Sequence, residues 1–463
     1  KVALWSTNKF THSKLQRTLK MDKKIIVAVL LAAFAAIVGI VSGKINSSMV
    51  MYVPLGLIAA SLVFFSRGIL IFLTILCLSS AGIPFLGIWE IALQLRWVLF
   101  ILFCFHVFGD IFLGRTVRRI KLFDCLVLVF ISYAFMSISY SPYPRLTLER
   151  SITILLLYIS VFWIIWKYAY HQGPEKVVSL ILGVMWIIFI ASYAAIFIGP
   201  YRPFLNGRFM GVFANPNGMG IVCALILPLS LWKFLETGKK SALFLFLLIS
   251  LSLLLCGARG SLNATLFALG YLIYARSKRK NPFALFATLA GVLIFIWIIE
   301  TSAREFFKTY IRLESIPVLG GRLEAWQAGV NLIMDKPLFG YAFGVEDKLF
   351  GLKKIMFRRH AGAYVHNSFL GMLLQLGLLG FIMFFVPLFI LLFKELFSRD
   401  ENREIPILRY ALRASLIAGL ICCMSESWIY SVGNTQVFPF WIMVMLLMFY
   451  RHSDKEKVEA SGA

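Results

Sequence analysis

Charge is scarce in this chain. Asp, Glu, Lys and Arg make up 15% of its 463 residues, 60% are hydrophobic, and the mean hydropathy is +0.84. Soluble domains carry roughly 25% charged residues, so the shortage excludes an ordinary globular protein and points to the membrane. Acidic residues are the scarcest, 22 against 46 Lys and Arg, which leaves a formal charge of +24. This is not a nucleic-acid footprint, because the basic residues fall in short connections between apolar runs, where they set membrane orientation. Cysteine offers no framework either. Cys77, Cys104, Cys125, Cys223, Cys256, Cys422 and Cys423 lie in or beside apolar runs without a Cys-x-x-Cys pair, so they read as small packing residues. The six histidines have no metal spacing, so neither a metal nor a cofactor is expected. Short alternating segments of the kind a β-barrel needs are absent. What remains is an all-α polytopic membrane protein of about 12–14 transmembrane helices.

A bilayer core of about 30 Å takes roughly 20 apolar residues per helix. Apolar runs fall near 25–43, 48–65, 69–84, 95–113, 122–139, 151–168, 177–199, 217–234, 241–256, 260–275, 282–300, 366–393, 407–424 and 436–450. Alternating these spans puts Lys23, Lys24, the Arg115–Lys121 loop, Lys239, Lys240, Arg276–Lys280, Lys455 and Lys457 on one side. The positive-inside rule makes that side cytoplasmic, with both termini there. The expected organisation is an extension over 1–20, membrane helices over 21–300, a large extracytoplasmic loop with short helices over 301–365, further membrane helices over 366–450 and a cytoplasmic tail over 451–463. The first apolar run carries no clear cleavage site.

The opposite side receives the connections at 84–94, 140–150, 200–216, 257–259, 301–365 and 425–435. They hold Arg145, Arg150, Arg202, Arg208, Asn215, Asn217, Arg259, Arg322, His366 and Glu426. Four constellations there could carry chemistry. Gly257-Ala258-Arg259-Gly260 is a tight turn whose arginine is either an interfacial anchor or a phosphate ligand. Gly320-Gly321-Arg322 opens a helix in which Leu323, Trp326, Val330 and Ile333 recur at helical spacing and which Pro337 stops. Arg322 then sits in a first turn that favours anions, on what is otherwise an ordinary amphipathic helix. Tyr364-Val365-His366-Asn367 offers a histidine at a helix start, as a general base or as a hydrogen-bonded interfacial residue. In Arg208 through Gly218, Asn215 caps a helix begun by Pro216, and Arg208 could extend a cationic pocket.

Together these segments resemble the bacterial O-antigen ligase/polymerase superfamily. The resemblance rests on Arg208 to Asn217, Gly257-Ala258-Arg259-Gly260, Arg322 to Trp326 with Pro337, Gly340 and Gly344, and His366-Asn367 with Gly377 and Gly380. It covers residues 205–385; the N-terminal spans match in hydropathy alone. Ala258 stands where the family often has Ser. The resemblance implies a metal-independent, inverting glycosyltransferase that moves a glycan from a polyprenyl (undecaprenyl) diphosphate to an acceptor hydroxyl such as lipid A-core. It also implies a place in the bacterial inner membrane, that Arg259 and Arg322 hold the diphosphate and that His366 is the catalytic base, with Arg208, Asn217 and Asn367 accessory.

The alternative within this chemistry is an O-antigen or exopolysaccharide polymerase using the same donor. A polysaccharide transporter or flippase is the competing class. Ion-coupled transport usually needs acidic residues deep in the bilayer, whereas Glu90, Asp110, Asp124, Glu300 and Glu426 lie near span ends or in loops. The expected partners are the lipid-linked donor, a glycolipid or glycan acceptor and membrane lipids, with no nucleic acid.

Overall fold

The computed structural model describes residues 67–276, 322–397 and 405–461, apart from a few single positions and short stretches within them. The expected spans at 25–43, 48–65 and 282–300, the extension over 1–20 and the loop stretch 301–321 lie outside the described residues. Elsewhere helices stand where long apolar runs require them. They are α1 (Arg67–Ser80), α2 (Ile88–Phe112), α3 (Leu122–Met136), α4 (Pro144–Ile159), α5 (Trp166–Gln172), α6 (Pro174–Ala194), α7 (Pro216–Thr237), α8 (Lys240–Cys256) and α9 (Arg259–Arg276). After the undescribed stretch follow α10 (Arg322–Asp335), α11 (Glu346–Leu352), α12 (Ser368–Leu396), α13 (Ile407–Cys422) and α14 (Val437–Ser461). Among the described residues the only strands are β1 (Phe204–Leu205) and β2 (Arg208–Phe209), and six helical stretches are long and apolar enough to cross a membrane. The protein is thus an all-α polytopic membrane protein.

The centre of the bundle is α7. Fourteen of its residues are buried, because it is apolar on every side rather than amphipathic. It packs against α8, α9 and α13. Gly419 on α13 lies against Leu225 and the Phe440 ring, and Ser415 Oγ donates to the Leu225 carbonyl at 2.8 Å.

Charged clusters tie the basic ends of the helices, two of them buried. Glu395 at the end of α12 accepts from Arg409 at 3.0 Å and Arg413 at 2.9 Å, joining α12 to α13 with all three side chains buried. Asp124 in the first turn of α3 accepts from Arg118 and from the Tyr158 hydroxyl. Arg118 also donates to the carbonyl of Phe162, which lies in the π-helical stretch Ser160–Ile165 between α4 and α5. The wider π turn disturbs the regular hydrogen-bond ladder there, and the guanidinium takes up one of its carbonyls.

The opposite ends are shaped by a break in α12. Gly377 has φ 62° and ψ −162°, a conformation essentially confined to glycine. The segment after α10 inserts at this break and supplies the hydrogen bonds the helix gives up. Tyr341 N–H donates to Leu374 O at 3.1 Å, Ala342 N–H to Gln375 O at 2.7 Å and Leu378 N–H to Pro337 O at 2.8 Å. Gly340, at φ 64°, is pressed on the backbone of Gln375 and Gly377, and a Cβ on Gly377 would collide with the Leu338 carbonyl. Gly340 and Gly377 are thus the two sides of one backbone crossing, which fixes α10 and α11 against the membrane helices.

Helix α10 packs differently from its apolar spacing. Its fully buried residues are Ala325, Gly329 and Leu332, while Leu323 and Val330 are each 44% exposed. Gly329 lies against Val365 and Leu374, and only a small residue permits so close a seat. Trp326 and Ile333 flank the buried face.

Candidate functional site

Several of the polar residues singled out in the sequence converge at the end of the bundle opposite the Arg118 and Glu395 clusters. A two-residue turn begins the assembly. Asn206 and Gly207 have φ 51° and 74°, which closes β1 on β2 with Leu205 opposite Arg208. Arg208 Nε then donates to the carbonyl of Cys256 at 2.7 Å, covering an orphan group at the C-terminus of α8. Its Nη2 donates to Asn217 Oδ1 at 2.7 Å. Asn217 stands in the first turn of α7, which Asn215 caps by accepting from Gly218 N–H at 2.7 Å.

The hub of the site is Glu426, in the connection between α13 and α14. One carboxylate oxygen accepts from Asn217 Nδ2 at 2.8 Å and from Arg322 Nη2 at 2.5 Å. The other meets His366 Nδ1 at 2.7 Å. Burial works to raise the Glu426 carboxyl. The His366 hydrogen bond and charge, with Arg322 and Asn217, outweigh it and hold the group below the ordinary carboxylate value. An ionised carboxylate only accepts, so His366 carries a proton on Nδ1, and in the neutral ring Nε2 is the accepting nitrogen.

His366 is held in position by its neighbours. Its φ of 53° is left-handed, a conformation histidine adopts more readily than most side chains but still an unusual one. Val365 N–H donates to Glu346 at 3.1 Å, Asn367 N–H to Ser427 Oγ at 3.1 Å and Ser368 N–H to Cys423 O at 2.8 Å. The Asn367 side chain caps α12 by accepting from Phe369 and Leu370 N–H, which aims the helix start at the site.

Arg259 opens α9 half-buried, and its neighbours dock it on the same cluster. Ala258 lies against Gly220 of α7, and Gly260 lies against Ser425, next to Glu426. A side chain at Gly220 or Gly260 would push α9 away, so the flanking glycine of the Arg259 turn serves helix approach. The structure therefore gathers Arg208, Asn217, Arg259, Arg322, His366 and Asn367 at one end of the bundle. Within that group, Arg322 and His366 are joined through the carboxylate between them.

Two cavities open here. The smaller, about 150 Å³, is lined by Phe213, Asn215, Tyr364, His366, Glu426 and Trp428 among others. A larger one of about 310 Å³ shares Tyr364 and Asn434 with it and is walled by Arg96, Trp97, Arg150 and Glu346. Arg150 crosses from α4 to grip Asp347 through both oxygens, at 2.9 and 3.1 Å, and also donates to Gly344 O. Glu346 accepts from Tyr430 at 2.7 Å and Gln375 at 3.2 Å, and burial raises its carboxyl although the bonds from Ser427, Tyr430 and Val365 and the charge of His366 pull the other way. Sequence reasoning placed Glu426 and Arg150 among the outer polar residues without a role and assigned nothing to Arg96 or Glu346. The Asn206-Gly207 pair was the readable signal for the turn that delivers Arg208.

With the geometry in hand, the chain can be set beside known proteins. The family model described as O-antigen ligase matches residues 244–385. That stretch contains Arg259, Arg322 and His366 and stops short of Glu426. A Rickettsia felis (strain ATCC VR-1525 / URRWXCal2) protein named "Putative polysaccharide ligase" is 26% identical over 280 residues, 56% of this chain and 65% of the relative. The match therefore spans just under two thirds of that relative's length.

Proposed function

We propose, from the match of residues 244–385 to the O-antigen ligase family model and from the Arg322–Glu426–His366 cluster, that this chain is an O-antigen ligase-like, metal-independent, inverting glycosyltransferase. It moves a glycan from a polyprenyl diphosphate to an acceptor hydroxyl on the extracytoplasmic face of the bacterial inner membrane. The observation that carries the reading is the carboxylate–histidine pair at 2.7 Å on the wall of a polar cavity. A glycosyl diphosphate already carries a good leaving group, so the protein's task is to place the acceptor and neutralise departing charge.

His366 acts as general base through Nε2. Its Nδ1–H is held by Glu426, which fixes the tautomer and stabilises the imidazolium formed as the acceptor oxygen gives up its proton. The deprotonated hydroxyl attacks the anomeric carbon from the face opposite the diphosphate, the carbon–oxygen bond to phosphate breaks, and the configuration inverts. Arg322 and Arg259 bind the diphosphate, whose roughly two negative charges two guanidiniums balance. Glu426 accepts from one Arg322 donor, so it also tethers that arginine beside the base. The 310 Å³ cavity beyond Tyr364, with Trp97 as a flat apolar wall and several hydrogen-bonding groups, suits sugar units adjoining the reacting one.

Reconstitution tests this directly. Purified chain in liposomes, given a polyprenyl-diphosphate glycan and candidate acceptors with EDTA present, is expected to release polyprenyl diphosphate; strict dependence on added metal would overturn the mechanism. A polymerase is the second reading within the same chemistry. A lipid-linked repeat used as acceptor by the purified chain favours it, and transfer to lipid A-core favours the ligase.

A further inference from the structure

The basic end of the bundle carries a cavity that the transfer chemistry does not use. About 230 Å³ in volume, it lies where α3, α5, α12 and α14 meet. Its walls are apolar, including Leu122, Phe123, Leu126, Pro387, Ile390 and Leu391. Its rim is cationic: Lys121, Lys394, Arg451 and His452. Behind it runs a tighter apolar slot between α3, α4 and α12, sharing Phe123 and Pro387 with the first cavity and lined further by Val127, Ile131, Met383 and Leu388. A charged mouth opening on a greasy slot, at the end of a transmembrane bundle, matches a molecule with an anionic head and an acyl chain.

Among the described side chains, the nearby acids do not cancel that rim. Asp124 is fully buried and bound to Arg118 and Tyr158, and Glu395 is fully buried between Arg409 and Arg413. Arg451 reaches Glu395 only at 3.8 Å and donates to the Lys394 carbonyl at 3.1 Å, which holds its guanidinium at the mouth. Arg118 spends its charge on Asp124 and stacks on Trp166, so it forms the floor, while the Lys121 and Lys394 side chains lie exposed at the rim.

We propose that this cavity is a binding site for an anionic phospholipid, its phosphate among Lys121, Lys394 and Arg451 and one acyl chain in the slot behind Phe123. The site lies at the opposite end of the bundle from His366 and is independent of the transfer reaction. Basic pockets between helices at a membrane face recognise lipid headgroups, each cation there contributing roughly 1 kcal/mol, or about fivefold in affinity.

The test is native mass spectrometry of the delipidated full chain with phosphatidylglycerol, phosphatidylcholine of identical acyl chains, or inorganic phosphate. Phosphatidylglycerol is expected to bind more tightly than phosphatidylcholine. Lys121→Gln with Lys394→Gln should weaken it by about 25-fold without changing binding of phosphatidylcholine. Ile390→Trp, which fills the mouth while leaving the cations, should reduce both lipids. Equal affinity for the two headgroups, unchanged phosphatidylglycerol binding in the double variant, or displacement of the lipid by millimolar inorganic phosphate alone would each overturn the proposal.

Discussion

Replacing Glu426 by Gln keeps the length of the side chain and one carbonyl oxygen while removing the charge that Arg322, His366 and Asn217 share. A carboxylate accepts at both oxygens, whereas an amide accepts at one and donates from the other. His366 and Arg322 then compete for a single acceptor, and the loser faces an N–H donor. Leaving such a donor unmatched costs about 1–3 kcal/mol. Without the carboxylate the His366 ring is no longer fixed with its proton on Nδ1 and Nε2 as the accepting nitrogen, and kcat should fall by roughly 10²–10⁴, the range that general-base catalysis supplies. Donor binding should move the other way. Arg322 and Glu426 are 27% and 15% exposed, and the diphosphate must share or displace their contact. Relieving that competition contributes up to about 1 kcal/mol, so the donor KM should drop by up to about fivefold. The assay is initial-rate transfer from a fluorescent polyprenyl-diphosphate glycan in proteoliposomes over a range of donor concentrations. An unchanged kcat refutes the orienting role of Glu426, and a raised donor KM refutes its competition with the diphosphate.

Other expectations follow from the same geometry. Arg322→Lys replaces a planar fork by a single ammonium; losing one charged hydrogen bond costs about 1.5 kcal/mol, so donor KM should rise roughly tenfold with kcat changed less, and the reverse split would contradict a binding role. Gly377→Ala forces a side chain into a glycine-only conformation against Leu338, costing about 1–3 kcal/mol in backbone strain alone; an unaltered thermal midpoint in detergent would refute the crossing described for α12. Because the folded-state carboxyl of Glu426 lies below its ordinary value of 4.5, its stabilisation is complete above that pH and is lost as pH falls through the depressed value. Thermal unfolding from pH 6 to pH 3 should therefore show an acid-limb loss that Glu426→Gln reduces, and parallel curves would count against the ion cluster. Glu346 has the opposite sign: its raised carboxyl favours the fold at low pH, and that contribution is lost as pH rises through the raised value.

Much of the fold was legible because long apolar runs leave few alternatives: the helices from α1 to α9 and α12 to α14 stand on runs visible in the sequence, with α4 and α5 sharing one. Local chemistry was legible too. Asn215 before Pro216 caps α7, and Arg208, Arg322 and His366 lie at one end of the bundle. What hid from the sequence was long-range pairing. Glu426 is 60 residues from His366, 104 from Arg322 and 209 from Asn217, and nothing local marks a carboxylate in a loop as the acceptor for all three. The break in α12 was invisible for a related reason. Gly377 sits in an otherwise continuous apolar run, and only the segment at 337–342 crossing it makes the interruption affordable. The buried face of α10 does not follow the spacing of its large apolar residues, because a glycine seat at Gly329 sets how closely that helix packs.

The central claim is that His366 takes the acceptor proton during transfer from a lipid diphosphate. The most direct measurement is single-turnover transfer by His366→Ala against the unaltered chain, with donor binding followed in the same proteoliposomes. The account predicts a rate lower by about 10²–10⁴-fold with donor affinity retained. Transfer at the unaltered rate in His366→Ala would contradict it.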